Sequence, residues 1–185
     1  MAKVKKSCDD KGRKKIDLRK FPRTRHLLDL GGNGVTRDDL LMSKSEAECF
    51  LKGKNISVEE KLDGANIGFS ISEDSRILVQ NRSHYVTSSS HRQFSTLDNW
   101  VLEHEGALFS IVGSGKFILY GEWLYAKHSI FYTNLPSQFM AFDIFNVQEG
   151  EFVSRRERNL LLEGTGIETV PLITERTFKQ ANEVS

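Results

Sequence analysis

Apolar and polar residues change their spacing several times along the chain, and each change predicts an element. Ser43 and Glu46 stand three apart as in a capping box, Ala47 and Phe50–Leu51 supply the apolar positions that follow, and Gly53 can stop the turn; a short helix is expected there. The period then switches to two. Residues 56–62, 65–71 and 76–80 read as strands, with Asp63-Gly64 and residues 73–75 as the turns between them. Phe94, Leu97, Trp100, Val101, Leu108 and Ile111 have roughly helical spacing and predict a helix over about 94–111. Residues 116–123 and 138–145 read as further strands. Ser154 and Glu157 repeat the capping-box spacing ahead of Leu160–Leu162, Gly164 suits the helix end, and residues 167–173 form a last expected strand. Runs of strands with a few helices between them argue for an α+β fold of mainly antiparallel sheets with flanking helices.

At 185 residues the chain can bury the core of one domain. It has no run of about 18 apolar residues that could span a membrane, and no apolar segment near its start of the kind that directs secretion. Cys8 and Cys49 have no metal-ligand spacing and suggest no disulfide framework, so an intracellular setting, cytoplasmic or nuclear, is expected. The net charge of +1 hides an asymmetry: residues 1–25 carry 11 Lys/Arg against three Asp. Residues 1–20 are therefore read as a basic, disordered arm, either a phosphate-neutralising segment or a solvated tail, and residues 21–185 as the folded part. The stretch from Phe21 ends in a turn at Gly31-Gly32-Asn33-Gly34.

The candidate chemistry centres on Glu60-Lys61-Leu62-Asp63-Gly64-Ala65-Asn66. A lysine at the end of a strand, just before a tight turn, is an amine held rigidly beside open space, and Gly64 permits the backbone conformation such a turn needs. To act as a nucleophile Lys61 must shed its proton, which partial burial or neighbouring cations favour. It could then attack the α-phosphate of a nucleotide, expel pyrophosphate and leave a phosphoramidate. Taken alone, Lys-x-Asp-Gly reads more readily as a hairpin with a solvated lysine.

Four further segments accompany it: Asn81-Arg82, Tyr120-Gly121-Glu122-Trp123 and Phe139-Met140-Ala141-Phe142-Asp143-Ile144 in order after it, and the Glu60 and Asn66 that flank the lysine. From about Phe21 to Ile173 the sequence resembles the covalent nucleotidyltransferases, and most closely the RNA ligase 2-type family of ATP-dependent RNA ligases. The resemblance implies the nucleotidyltransferase (adenylation) domain of the ATP-grasp-like ligase type. It implies Lys61 as the residue that takes up AMP, Arg82 as a nucleotide and RNA phosphate contact, Glu122 as the ribose ligand and a candidate metal ligand, and Phe142 as the platform on which adenine stacks. Glu60 and Asn66 complete the nucleotide-binding set. ATP with Mg2+ or Mn2+ is the implied cofactor pair, and RNA with 5′-phosphate and 3′-hydroxyl ends the implied partner. From the residues themselves, Arg82 also reads as a strand-end surface charge, Glu122 as half of a buried salt bridge, and Phe142 as a core residue.

Other chemistries fit less well. Gly113-Ser114-Gly115-Lys116 lacks the leading glycine and the hydroxyl residue of a phosphate-binding loop. The histidines show no metal-binding spacing; His128, just after the Tyr120–Trp123 segment, lines a site or serves the structure. The family pattern also requires a Glu-Gly strand (motif IV) and a Lys-x-Lys (motif V) after Asp143. Neither occurs in these residues, since Glu163-Gly164 sits at an expected helix end and Lys52–Lys54 precedes the nucleophile. The adenylation domain is accordingly expected to be C-terminally incomplete, and self-adenylation by these residues alone to be impaired. A non-catalytic RNA-binding relative, a DNA ligase and a capping-type nucleotidyltransferase are the alternatives.

Overall fold

The computed structural model describes residues 18–29, 31 and 40–184. Two compact units are present. One holds residues 18–20 and Gly64–Glu168, the other Phe21–Asp63 and residues 169–184. Most of the basic arm and of the Gly31–Gly34 turn lies outside the described residues.

The larger unit is built on a five-stranded antiparallel sheet in the order β3-β2-β4-β5-β6, with β2 Ala65–Ile71, β3 Ile77–Gln80, β4 Phe117–Trp123, β5 Phe139–Asn146 and β6 Glu151–Phe152. One face is apolar by strict alternation: Ile67 and Phe69 of β2, Val79 of β3, Leu119 and Trp123 of β4, and Phe139 and Ala141 of β5. Helices α2 (Leu97–Glu103) and α3 (Glu105–Val112) cover that face with Leu97, Trp100, Leu108 and Ile111. Trp100 lies 5.6 Å from Phe69 and 5.3 Å from Phe139, ring to ring. The predicted helix over 94–111 is broken at His104, whose φ of −108° and ψ of 14° leave the helical region. Its ring stacks on Trp100 at 4.0 Å, and Gly106, a poor helix former, follows closely. Helix α4 (Arg155–Leu162) begins at the expected cap, the Glu157 N–H donating to Ser154 Oγ at 3.2 Å.

The opposite face of the sheet is more polar and carries the start of the described chain. The Arg19 carbonyl accepts the Tyr120 hydroxyl at 2.7 Å and also the Gln80 side-chain amide, while its guanidinium lies 3.8 Å from the centre of the Phe145 ring. Burial pushes the Tyr120 phenol up to about 12.

The smaller unit pairs β1 (Asn55–Glu59) with β7 (Leu172–Thr177) in a two-stranded antiparallel sheet. Helix α1 (Lys44–Leu51) starts in the capping box read from the sequence, and Gly53, at φ +67°, follows its end. Glu46 also takes Arg25 in a two-pronged ion pair at 2.7 and 2.8 Å, which with Ser43 holds its carboxyl down at about 2. The last strand lies later than the expected 167–173. Pro171 can accept through its carbonyl but has no N–H to give a ladder, so pairing starts at Leu172.

Candidate functional site

The lysine motif is not a hairpin. Strand β1 belongs to the two-stranded sheet and β2 to the five-stranded one, so Asp63-Gly64 ends a connection of residues 60–64 rather than a turn between paired neighbours. The Glu60 N–H donates to the Pro171 carbonyl at 2.9 Å, extending the β1 ladder by one bond. Leu62 is buried at 5% exposure, whereas Glu60 and Lys61 are exposed at the strand's end. The partial burial expected of Lys61 is therefore not found.

Gly64 also serves a purpose other than the one expected. Its φ is not left-handed; what excludes a side chain is proximity. A Cβ here would overlap the Trp123 carbonyl oxygen and come within 2.9 Å of Leu124 and 3.2 Å of Glu122 Cγ. That closeness lets the Gly64 N–H donate to Glu122 Oε1 at 2.9 Å. The half-buried carboxylate thus clasps the backbone three residues after Lys61. A carboxylate oxygen has more than one lone pair, so the clasp still leaves it able to accept from a hydroxyl.

Strand register supplies the rest. Asn66 pairs directly with Glu122 across β2 and β4, which sets their Cβ atoms about 5 Å apart on the face away from the core. The β2–β3 ladder closes at Gly68 opposite Gln80, so Asn66 and Arg82 leave the same end of that pair. Arg82 is exposed in a closed turn in which Asn81 Oδ1 accepts the N–H groups of Ser83 and His84 at 2.8 and 2.9 Å. Between β4 and β5, Tyr120 faces Asp143 and Gly121 faces Ala141, which leaves Phe142 as the extra residue of a β-bulge. Gly121 lies at the bulge and has no room for a side chain, because a Cβ there would run into the Phe139 ring and the Met140 carbonyl.

A bulge turns main-chain groups away from the regular ladder, and here a buried arginine takes one of them. Arg158 of α4, 2% exposed, donates through Nη1 to the Phe142 carbonyl at 2.6 Å, and through Nε and Nη2 to Asn159 Oδ1 at 3.1 and 2.9 Å. Sequence reasoning missed this residue, although the signal was available. Arg158 stands four residues before Leu162, on the helix stripe that faces the sheet.

Among the described residues no group of three or more His, Cys, Asp or Glu could hold a metal ion. Glu122 is thus not part of a carboxylate cage.

The family model for RNA ligase matches residues 54–185. The chain belongs to the RNA ligase family. No curated protein matches this RNA ligase family chain in sequence. Among solved structures, Naegleria gruberi RNA ligase with PPi is 20% identical at a TM-score of 0.57, aligned over 92% of this chain and 52% of its own. An arginine-to-alanine mutant of the same ligase with ATP and Mn is 22% identical at a TM-score of 0.55, over 76% and 42%. A lysine-to-alanine mutant with ATP and Mn is 18% identical at 0.54, over 75% and 42%. At these identities the likeness is one of fold, and it covers the mixed α/β, antiparallel architecture described above. The chain spans about half the length of these ligases, or somewhat less.

Proposed function

We propose that this RNA ligase family chain carries the adenylate-forming site of an ATP-dependent RNA ligase, with Lys61 as its nucleophile. Lys61 Nζ attacks the α-phosphorus of ATP, the bond to the β-phosphate oxygen breaks, pyrophosphate leaves and the amine proton passes to solvent. In the complete reaction AMP moves from the lysine to an RNA 5′-phosphate, and an RNA 3′-hydroxyl then displaces it. Glu122 accepts from the ribose, Phe142 stacks on adenine, and Arg82 meets phosphate. Glu60 and Asn66 flank the nucleophile in sequence, before and after the clasp. A Mg2+ or Mn2+ ion carried by the phosphates offsets the charge that builds on them. The site acts on RNA ends inside the cell, in cytoplasm or nucleus.

The observation that supports this reading is the Gly64–Glu122 hydrogen bond. It ties the end of the lysine motif to the strand bearing the ribose ligand, in a chain of the RNA ligase family. The Naegleria gruberi ligase structures with ATP and Mn agree with the choice of nucleotide and ion.

Two measurements test it. On incubation with α-labelled ATP and Mg2+ or Mn2+, followed by denaturing electrophoresis, any adduct captured should be acid-labile, be assigned to Lys61 by mass spectrometry and be lacking in Lys61→Ala. Calorimetry should show ATP binding that Glu122→Ala weakens. An adduct on another lysine, equal labelling of Lys61→Ala, or no ATP binding by the folded chain would each overturn the proposal.

A further inference from the structure

A cavity of about 650 Å³ lies beyond the end of β4, where two separate segments meet. His91, Arg92 and Gln93 line it from one side, and Tyr125, Lys127 and His128 from the other. Every ionisable group in that lining is basic except the Tyr125 phenol, and no carboxylate shares it. Arg92, Lys127 and both histidines reach solvent, so a charged ligand can meet them without losing most of its hydration beforehand.

The lining is held by the core. Trp123, the last residue of β4 and 1% exposed, donates its indole N–H to the Gln93 carbonyl at 2.8 Å. The next residue, Leu124, donates its N–H to the Gln138 carbonyl at 2.8 Å, and the Gln138 side chain accepts the Thr96 hydroxyl at 2.8 Å. Both segments that supply the cations are therefore tied to the same strand end. His91 Nδ1 accepts the Gln93 N–H at 3.3 Å, which leaves Nε2 as the ring nitrogen that can donate to a ligand. Tyr125, at 45% exposure, adds an aromatic face.

Cations around a rim together with an aromatic face are the chemistry that binds a single nucleic-acid strand, with phosphates on the cations and a base on the ring. The geometry points to this cavity as a docking site for phosphate groups of the RNA strand, separate from the Glu122–Phe142 nucleotide site. It rests on the RNA ligase reading given above. Arg92 and Lys127 bear the phosphates, His91 and His128 donate to them, and Tyr125 stacks.

The test uses Arg92→Glu/Lys127→Glu in the full chain, with a single-stranded RNA 12-mer as probe in 5′-phosphorylated and 5′-hydroxyl forms. Both substituted side chains reach solvent, and a thermal melt checks the fold. Reversing the two charges should weaken binding of the 5′-phosphorylated RNA by about tenfold or more at low salt, and lower the slope of log affinity against log salt by about 0.7 for each phosphate no longer neutralised. ATP affinity and lysyl-AMP formation should stay at wild-type values. A loss confined to the 5′-phosphorylated RNA would assign the cavity to the terminal phosphate, and an equal loss for both to the internal phosphodiesters; either supports the proposal. Unchanged RNA affinity and slope would overturn it and leave the nucleotide reading intact. A fall in ATP affinity instead would also overturn it, by giving these cations to the triphosphate. Failure of the wild type to bind RNA while still binding ATP would remove the strand site alone.

Discussion

Replacing Arg158 by Met isolates what the buried guanidinium does for the bulge at Phe142. Methionine keeps most of the length and flexibility of the arginine stem, so little packing is lost. The hydrogen bonds from the guanidinium to Asn159 Oδ1 and to the Phe142 carbonyl, the latter at 2.6 Å, go with it. Two effects then oppose one another. Removing a charge from a site that is 2% exposed relieves its desolvation cost, whereas the Phe142 carbonyl loses a charge-assisted donor. The second should win, because a thioether donates nothing in place of the guanidinium, and losing a bond to a charged donor costs about 1.5–3 kcal/mol. Asn159 is only half-buried and regains water, so it adds little. For a chain of this size about 2–4 °C accompanies each kcal/mol, so the lost bond alone would lower Tm by roughly 3–12 °C, and the relieved desolvation cost makes the net fall smaller. Scanning calorimetry measures it, and titration calorimetry with ATP should show weaker binding as Phe142 loosens. A Tm that stays level or rises, with ATP affinity unchanged, would refute the claim that Arg158 holds the bulge.

Three further outcomes follow from the same geometry. Gly64→Ala should break the Glu122 clasp through the overlap with the Trp123 carbonyl, cutting lysyl-AMP formation by about tenfold or more while the five-stranded sheet still folds; wild-type labelling would show that the clasp is dispensable. Phe142→Ala should weaken ATP binding by about 1–3 kcal/mol, the value of one base–aromatic stack, and unchanged affinity by calorimetry would return Phe142 to the core. Because the Tyr120 phenol is raised to about 12 in the folded chain, folding favours its neutral form, so its contribution is full below its usual 10.0 and lost between there and 12. Melting curves across that range should fall more steeply for wild type than for Tyr120→Phe, and parallel curves would contradict the burial argument.

Local pattern carried much of the fold. Strand β2 and both helix caps stand where alternation and capping residues put them, since those signals are read within a few positions. What local pattern could not convey was partnership. Asp63-Gly64 looks like a hairpin turn because only the distant Leu172–Thr177 segment reveals that β1 pairs elsewhere. Likewise Gly64 read as a conformational glycine, whereas its reason is a strand about 60 residues away in sequence. The bulge escaped notice because one extra residue changes the phase of β5 without changing its composition. Of the proposed site, Asn66 and Glu122 emerged as direct cross-strand neighbours, which their separation of 56 positions gave no means of seeing.

The chain's two tryptophans hand the experimenter an optical instrument. Trp123 is hydrogen-bonded to the carbonyl of Gln93, which lines the cationic cavity, so its indole emission should shift colour when a ligand there alters that bond. Trp100, packed among Phe69, Phe139 and the His104 ring and 5.9 Å from the Trp123 ring, supplies a second signal that a Trp100→Phe protein would remove. RNA and ATP could then be told apart by fluorescence in one cuvette, without attaching a dye, from which of them changes the colour of a single buried ring.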